Sequence, residues 1–495
     1  MTPTVVVVGG GIAGLAAAWE LTQGAPPCRV VLVERADRLG GKITTSPFAG
    51  IEVDGGPDSF LARVPAAAAL AREVGLADDL VAPGTGQAYL WTRGSLRALP
   101  DGLVLGLPTD PRALARSKVL SRRAAARAAL DLVLPGSPAG EGQDVSVGSL
   151  VRRRMGRSVQ MGLVDPLLGG INAGHTDDLS AAVAAPQILA AARRDRSLIR
   201  GLRASGTGGT ASGAVTGGAV TGGGGGETGA AGTAGAVFLT VRGGLGRLVD
   251  ALRAGIEAAG AEIVTGDGVD ALTRDGGGWT VRLESGPTGS GRAIPAAAVV
   301  VAVPAAAGAR MLEALSPAAA GTLASISTAS VALAVLSYSS SAVAGPLRGS
   351  GFLVPRGERR LLTACSWVGA KWPHLAQPDR IMVRASTGRV DDDRPAHLDD
   401  YELINRVHTE LQEAMDLRGR PLDGVVHRWP DAFPQFAVGH LDRITRAEER
   451  LAVDAPGVTL AGAALRGVGL ATCIAGGRAA GATARRHATA LTTPD

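Results

Sequence analysis

Gly9, Gly11 and Gly14 follow an apolar run, Val5-Val6-Val7-Val8, and Glu34 closes a second run, Val30-Val31-Leu32-Val33. Residue types at these spacings bind a dinucleotide. Gly9 permits a tight turn out of a strand, Gly11 lets a pyrophosphate approach bare backbone, and Gly14 lets a helix pack closely on the strand. The helix predicted over Ile12 to Gln23 aims unpaired N–H groups and a partial positive charge at the phosphates. Glu34, about 20 residues past the glycines, is placed to accept from ribose hydroxyls. Nicotinamide and flavin dinucleotides share this fingerprint, so it leaves the choice between them open.

Three further glycine-rich pieces bear on that choice. Arg38-Leu39-Gly40-Gly41 and Asp54-Gly55-Gly56-Pro57-Asp58 follow early, and Gly467-Val468-Gly469-Leu470 opens a small-residue helix near the other end. A second helix N-terminus can be aimed at the same ligand. In a flavoprotein such a dipole favours negative charge at the N1–C2=O edge of the reduced ring. No Ser/His/Asp triad, carboxylate pair or metal-ligand cluster stands out.

The elements that must position these pieces are spread along 495 residues, enough for two or three domains. With 46% hydrophobic and 19% charged residues, the chain reads as a soluble globular protein with a large core. Almost all its basic residues are arginine, as a GC-rich genome would give; the net charge of +5 is modest and no polybasic run with interleaved aromatics appears, so nucleic-acid binding is not expected. Arg152-Arg153-Arg154 reads as a solvated helix face. Cys28, Cys365 and Cys473 are far apart and odd in number, as expected in a reducing, cytoplasmic setting. No signal peptide is visible, and Ala293–Ala309, the most membrane-like stretch, is interrupted by Pro295 and Pro304. Its centre, Val299 to Val303, reads as a buried strand, and buried strands are expected across Ala314–Leu347. Residues 107–200 read as helical. Residues 204–236, built of Gly, Ala, Thr, Ser and Val around one charge, Glu227, read as a disordered loop.

Taken together, these pieces resemble the flavin-containing amine oxidase superfamily and, within it, the porphyrinogen oxidases of haem biosynthesis. The resemblance rests on Gly56-Pro57-Asp58-Ser59-Phe60-Leu61-Ala62-Arg63, on Asp165 through Gly174, and on Leu179-Ser180. It also rests on Arg242-Gly243-Gly244-Leu245, Arg428-Trp429-Pro430, Pro434-Gln435-Phe436-Ala437-Val438-Gly439-His440 and the C-terminal glycine turn. It implies an α/β fold: a Rossmann-type FAD-binding domain (1–84, 237–308, 440–492) interleaved with a mixed-sheet substrate domain (85–106, 171–203, 309–439) and a helical subdomain (107–170).

The resemblance further implies noncovalent FAD. Its contacts are expected at Gly9, Gly10, Gly11, Ile12, Ala13, Gly14, Glu34, Arg35, Gly41 and Lys42, then at Gly55, Gly56, Pro57, Asp58, Val269, Trp429, Val468, Gly469 and Leu470. The implied reaction is oxidation of a porphyrinogen, with hydride passing to the flavin N5 and oxygen returning as peroxide. No protein side chain is then catalytic in its own right, and no metal is expected. Coproporphyrinogen III is the expected substrate and protoporphyrinogen IX the alternative. Animal and plant members carry an arginine in the segment matching Leu99–Leu107, and Pro100-Asp101-Gly102-Leu103-Val104-Leu105-Gly106 has none. Arg63, Arg97 and Lys371 are the expected propionate contacts. His440 reads as structural, and His175 is a similar case. A carotenoid desaturase, a nicotinamide dehydrogenase and a nonenzymatic flavin binder are the competing readings. At most peripheral membrane contact is expected, and the oligomeric state stays open.

Overall fold

A computed structural model describes residues 2–135, 140, 142–204, 236–284 and 291–491. The glycine, alanine and threonine segment at 204–236 falls outside the described residues except at its two ends.

Five parallel strands form the sheet that carries the N-terminal motif. Their order is Glu262–Thr265, Arg29–Glu34, Thr4–Val8, Ala298–Val301 and Val458–Leu460. Three separate stretches of chain therefore feed one sheet. The three central strands are buried on both faces and so are apolar, which is why they read as valine runs, while the edge strands Glu262–Thr265 and Val458–Leu460 are partly exposed. Val5, Val7, Val30 and Leu32 point to one face, against Leu15, Leu252 and Ile474 of three helices. Val6, Val8, Val31 and Val33 point to the other, against a three-stranded antiparallel sheet spanning Val269–Ala296 and helices near 305–324 and 440–454.

The helix Ile12–Gln23 forms as predicted, and the C-terminal helix, Leu470–Ala490, lies against it. A Cβ at Gly477 would stand 2.1 Å from the Ala13 carbonyl oxygen, and one at Gly481 would stand 2.6 Å from that of Ala17. Residue numbers rise together along this seam, so the two helices run parallel. Arg478 ties the pair together further through Glu20 at 2.9 Å and Glu73 at 2.8 Å.

A second, seven-stranded mixed sheet is ordered Asp423–Pro434, Thr328–Ser339, Arg380–Thr387, Leu362–Trp367, Gly351–Leu353, Tyr89–Thr92, Ser95–Ala98. Its far face packs on helix Asp400–Met415 through Ala334, Leu336, Val383 and Leu403. Its near face includes the row His427, Leu333, Ser386, Ala364, Leu353, Leu90 and Arg97. The expected strands across 314–347 are only half right: Pro317–Ala324 is an alanine-rich helix, and the strand starts at Thr328.

Residues 111–204 are mainly helical around their own core. Gln160–Gly169 winds as a π-helix containing Pro166. Arg154 corrects the solvated-face reading of its cluster. It is buried, pairs with Asp131 at 2.7 Å and donates to the carbonyls of Asp131, Leu134 and Pro135.

Candidate cofactor and substrate site

The strand-to-helix turn has the geometry that the glycines require. Gly9 has φ +105°, and a Cβ there would stand 2.6 Å from the Ala302 carbonyl oxygen. A Cβ at Gly14 would stand 1.8 Å from the Gly9 carbonyl oxygen, whereas one at Gly11 would meet nothing within 4 Å. Gly14 is therefore fixed by packing, while Gly11 faces open space at an N-terminus that no side chain caps. That combination is an anion cradle. The Gly10 N–H donates to Glu34 Oε2 at 2.6 Å, and the Ala36 N–H donates to Oε1 at 2.9 Å. Both carboxylate oxygens are thus oriented and keep a lone pair for hydroxyl donors.

The neighbouring pieces converge on this turn. The Gly40 N–H donates to the Gly10 carbonyl, and a Cβ at Gly41 would lie 3.2 Å from the Gly11 Cα. Arg38 braces its own loop through the carbonyls of Leu39, Gly41 and Ile43. Arg35 pairs with Glu284, and the Asp267 N–H donates to the Glu34 carbonyl, which brings Val269 alongside. One buried carboxylate oxygen of Asp267 has no partner among the described residues. It is an acceptor that motif reading missed, since no spacing rule marks it.

Further along the crevice, the Lys42 carbonyl lies against Gly56, and the Trp429 Nε1–H donates to the Gly55 carbonyl at 2.8 Å. The Lys42 side chain reaches solvent, yet burial lowers its pKa and Cys473 opposes that shift, as fits a lysine inside a cleft. Cys473 itself is buried in the C-terminal helix, its pKa pushed up to about 11 by burial. That helix begins at Leu470 behind Gly469, again with no side-chain cap. Because Gly477 sits at the level of Ala13, its N-terminus projects about 9 Å beyond that of the first helix at 1.5 Å per residue. Two uncapped helix ends, offset by roughly the reach of an extended ribityl chain, suit the phosphates and the ring of one flavin dinucleotide.

Two motifs far apart in sequence form one structural unit on the substrate side. Gln435 Nε2 donates to the Asn172 carbonyl at 3.0 Å, and the Ser180 N–H donates to the Phe436 carbonyl at 2.8 Å. Asp144 accepts from Ser180 Oγ and the Gly439 N–H. Buried His440 has Nε2 within 3.0 Å of the Ala464 and Leu465 carbonyls, so it holds the segment leading into the C-terminal glycine turn. His175 Nδ1 accepts from the Asp177 N–H.

The three expected propionate contacts are not brought together. Arg63 is exposed on the turn after strand Phe60–Leu61. Arg97 lies on the near face of the large sheet but six strands from His427, about 29 Å at 4.8 Å per strand. His427 abuts Gly55, so Arg97 lies at the opposite edge of this sheet from that turn, and its buried Nε has no hydrogen-bond partner among the described residues. Lys371 is the clearest correction. Its ammonium is 0% exposed and ion-paired with Asp58 at 2.7 Å, so it cannot reach out to a substrate. Arg384, which motif reading missed, joins the same carboxylate at 2.6 Å and donates to the Gly56 carbonyl.

Comparison with known proteins accords with this geometry. The chain is 35% identical over 480 residues to the coproporphyrinogen III oxidase of Bacillus subtilis (strain 168), covering 96% of each. It is 38% identical over 491 residues to that of Propionibacterium freudenreichii subsp. freudenreichii, covering 96% of this chain and 89% of the relative. A crystal structure from Exiguobacterium sp. 255-15, described as a protoporphyrinogen oxidase, superposes with a TM-score of 0.83 at 29% identity, covering 97% and 98% of the two chains. Residues 12–485 match the flavin containing amine oxidoreductase family, and the chain belongs to it.

Proposed function

We propose that this protein oxidises coproporphyrinogen III to coproporphyrin III in haem biosynthesis, with noncovalently held FAD as cofactor and oxygen as final acceptor. The balanced reaction is coproporphyrinogen III plus three O2 giving coproporphyrin III plus three H2O2. The observation that supports the flavin part is the pair of uncapped helix ends, one at Gly11 and one at Gly469, on two helices packed in parallel through Gly477 and Ala13. The names of the two relatives carry the choice of substrate.

When bound, FAD supplies the acceptance of electrons two at a time. The chain's own part is to bind, orient and shield. Gly11 and the following N–H groups hold the diphosphate, and Glu34 accepts from the ribose. The N-terminus at Leu470 favours negative charge on the ring's carbonyl edge. The Gly55–Asp58 turn, held by Trp429, would form a wall beside the ring. Of the six hydrogens lost, four come from the bridging carbons and two from pyrrole N–H groups; three would pass to the flavin as hydride and three to water as protons. The three free cysteines suit a cytoplasmic setting, and no described helix is long and apolar enough to cross a membrane.

Protoporphyrinogen IX is the second reading, favoured by the description of the Exiguobacterium structure. The deciding experiment compares initial rates of porphyrin fluorescence on both porphyrinogens, with and without oxygen. Faster, oxygen-dependent turnover of coproporphyrinogen III is expected. Equal or faster turnover of protoporphyrinogen IX would reverse the assignment.

A further inference from the structure

Behind the Gly55–Gly56 turn lies an ion cluster to whose charges the reading above gives no part. Asp58 is 4% exposed, Lys371 0% and Arg384 4%. Both cations converge on one oxygen of Asp58, with Lys371 Nζ at 2.7 Å and Arg384 Nη1 at 2.6 Å. The Trp372 Nε1–H reaches the same oxygen at 3.4 Å, and Ser59 Oγ donates to the other at 3.1 Å. Arg384 also donates to the Gly56 carbonyl, while its buried Nε and Nη1 make no hydrogen bond among the described residues, Nη1 meeting Asp58 as an ion pair alone.

Burying charges is costly, and a buried ion pair is weak evidence of stabilisation. Apolar side chains would serve packing better here. A charged cluster at the base of one turn casts its field on whatever lies beyond that turn. The other titratable groups felt by the cluster are Asp54, from the adjoining hairpin, and His427, from the large sheet. The two acids, Asp54 and Asp58, face the two bases, Lys371 and Arg384, so changing any one of them unbalances the local charge.

We propose that Asp58, Lys371 and Arg384 act as positioning residues for the flavin, fixing the Gly55–Gly56 turn and setting how readily the bound ring takes electrons. This rests on the FAD reading above. A positive charge beneath the turn favours the more negative, reduced ring, and a negative charge opposes it. Sign therefore separates an electrostatic role from mere support. The test is the midpoint potential of FAD-loaded protein, measured by dye-linked reductive titration. Lys371→Met and Arg384→Met are each expected to disfavour reduction by about tenfold, and Asp58→Asn to favour it by a similar factor. Tenfold corresponds to 29.6 mV for a two-electron couple.

Shifts of one sign in all three variants, or shifts under about twofold, would overturn the proposal. Should a single variant fail to fold, the double variant Asp58→Asn/Lys371→Met removes one charge of each sign. Its potential is expected within about twofold of the parent, and a tenfold displacement would count against the inference. Protein that binds no added FAD would overturn the flavin reading itself. A bound flavin indifferent to every charge change would overturn this inference alone.

Discussion

Replacing Gly11 and Gly14 in turn separates binding from folding within one motif. Gly11 has φ −69° and ψ 174°, ordinary extended backbone, and a Cβ there meets nothing within 4 Å. Gly11→Glu should therefore fold. Its carboxylate would occupy the space over the helix N-terminus where a diphosphate must lie. Like charges about 4 Å apart at an effective dielectric near 20 repel by about 4 kcal/mol. That alone weakens binding by about a thousandfold. Gly14→Ala is the opposite case, because its Cβ would overlap the Gly9 carbonyl oxygen at 1.8 Å. Helix and strand must separate, and the core shared by Leu15, Val7 and Ile474 opens with them. The assays are the ratio of flavin absorbance to protein absorbance after purification, FAD affinity by fluorescence quenching, and thermal melting of flavin-free protein. Gly11→Glu should be colourless and melt like the flavin-free parent, and Gly14→Ala should melt far lower. A Gly11→Glu protein that retains FAD stoichiometrically would refute the phosphate argument.

Asp54 gives a pH prediction with a definite sign. Burial pushes its pKa up to about 6 from an ordinary 3.8, although Thr45 and the Leu245 N–H both donate to it. The folded state therefore holds this proton more tightly than the unfolded chain. The contribution is fully present below pH 3.8 and is lost as pH rises through 6. The difference amounts to about 3 kcal/mol at 1.36 kcal/mol per unit. Asp54→Asn should remove that slope from the melting temperature between pH 4 and pH 7, and an unchanged slope would sink the assignment. His440→Ala strips two carbonyls of their shared donor at a cost of about 1–3 kcal/mol, and His440→Gln should recover part of it. Melting temperature and FAD affinity should fall together in the alanine variant. A loss of stability with affinity unchanged would show that His440 does not set the C-terminal turn.

The strands and helices of the nucleotide-binding sheet were legible because they obey strong local rules. A valine run buried on both faces, a glycine turn and an alanine-rich helix admit few readings, and Ile12–Gln23 has the predicted bounds. The 314–347 stretch misled because an apolar, small-residue segment has no decisive period. Pro317 at a helix start, followed by three alanines, was the signal to weigh. Arg154 misled for a related reason: charge runs usually face water, and only tertiary structure brings Asp131 beneath one of the three. Lys371 failed most instructively. A lone lysine in an arginine-rich chain invites an anionic substrate, but its partner lies 313 residues away in a motif already assigned to another task. Asp267 and Arg384 carried no local pattern at all, and they emerged only from asking which buried polar atoms lack partners.

The parallel helix seam explains why the two ends of the chain had to carry glycine of different kinds. Gly477 and Gly481 have no positive φ and no ligand to admit; they are small because Ala13 and Ala17 of the first helix lie against them. Close approach makes the two helix axes nearly one rigid body, and that rigidity turns a sequence offset into a fixed distance. The stagger of about 9 Å between the two N-termini follows from where Gly477 meets Ala13. A shift of the C-terminal helix by one turn, about 5.4 Å, would carry its N-terminus off the ring while leaving the phosphate cradle intact. The seam thus fixes the distance between the two helix N-termini. On the FAD reading proposed above, the first helix alone would suit any dinucleotide, and its parallel neighbour would favour one whose second anionic edge lies at that reach.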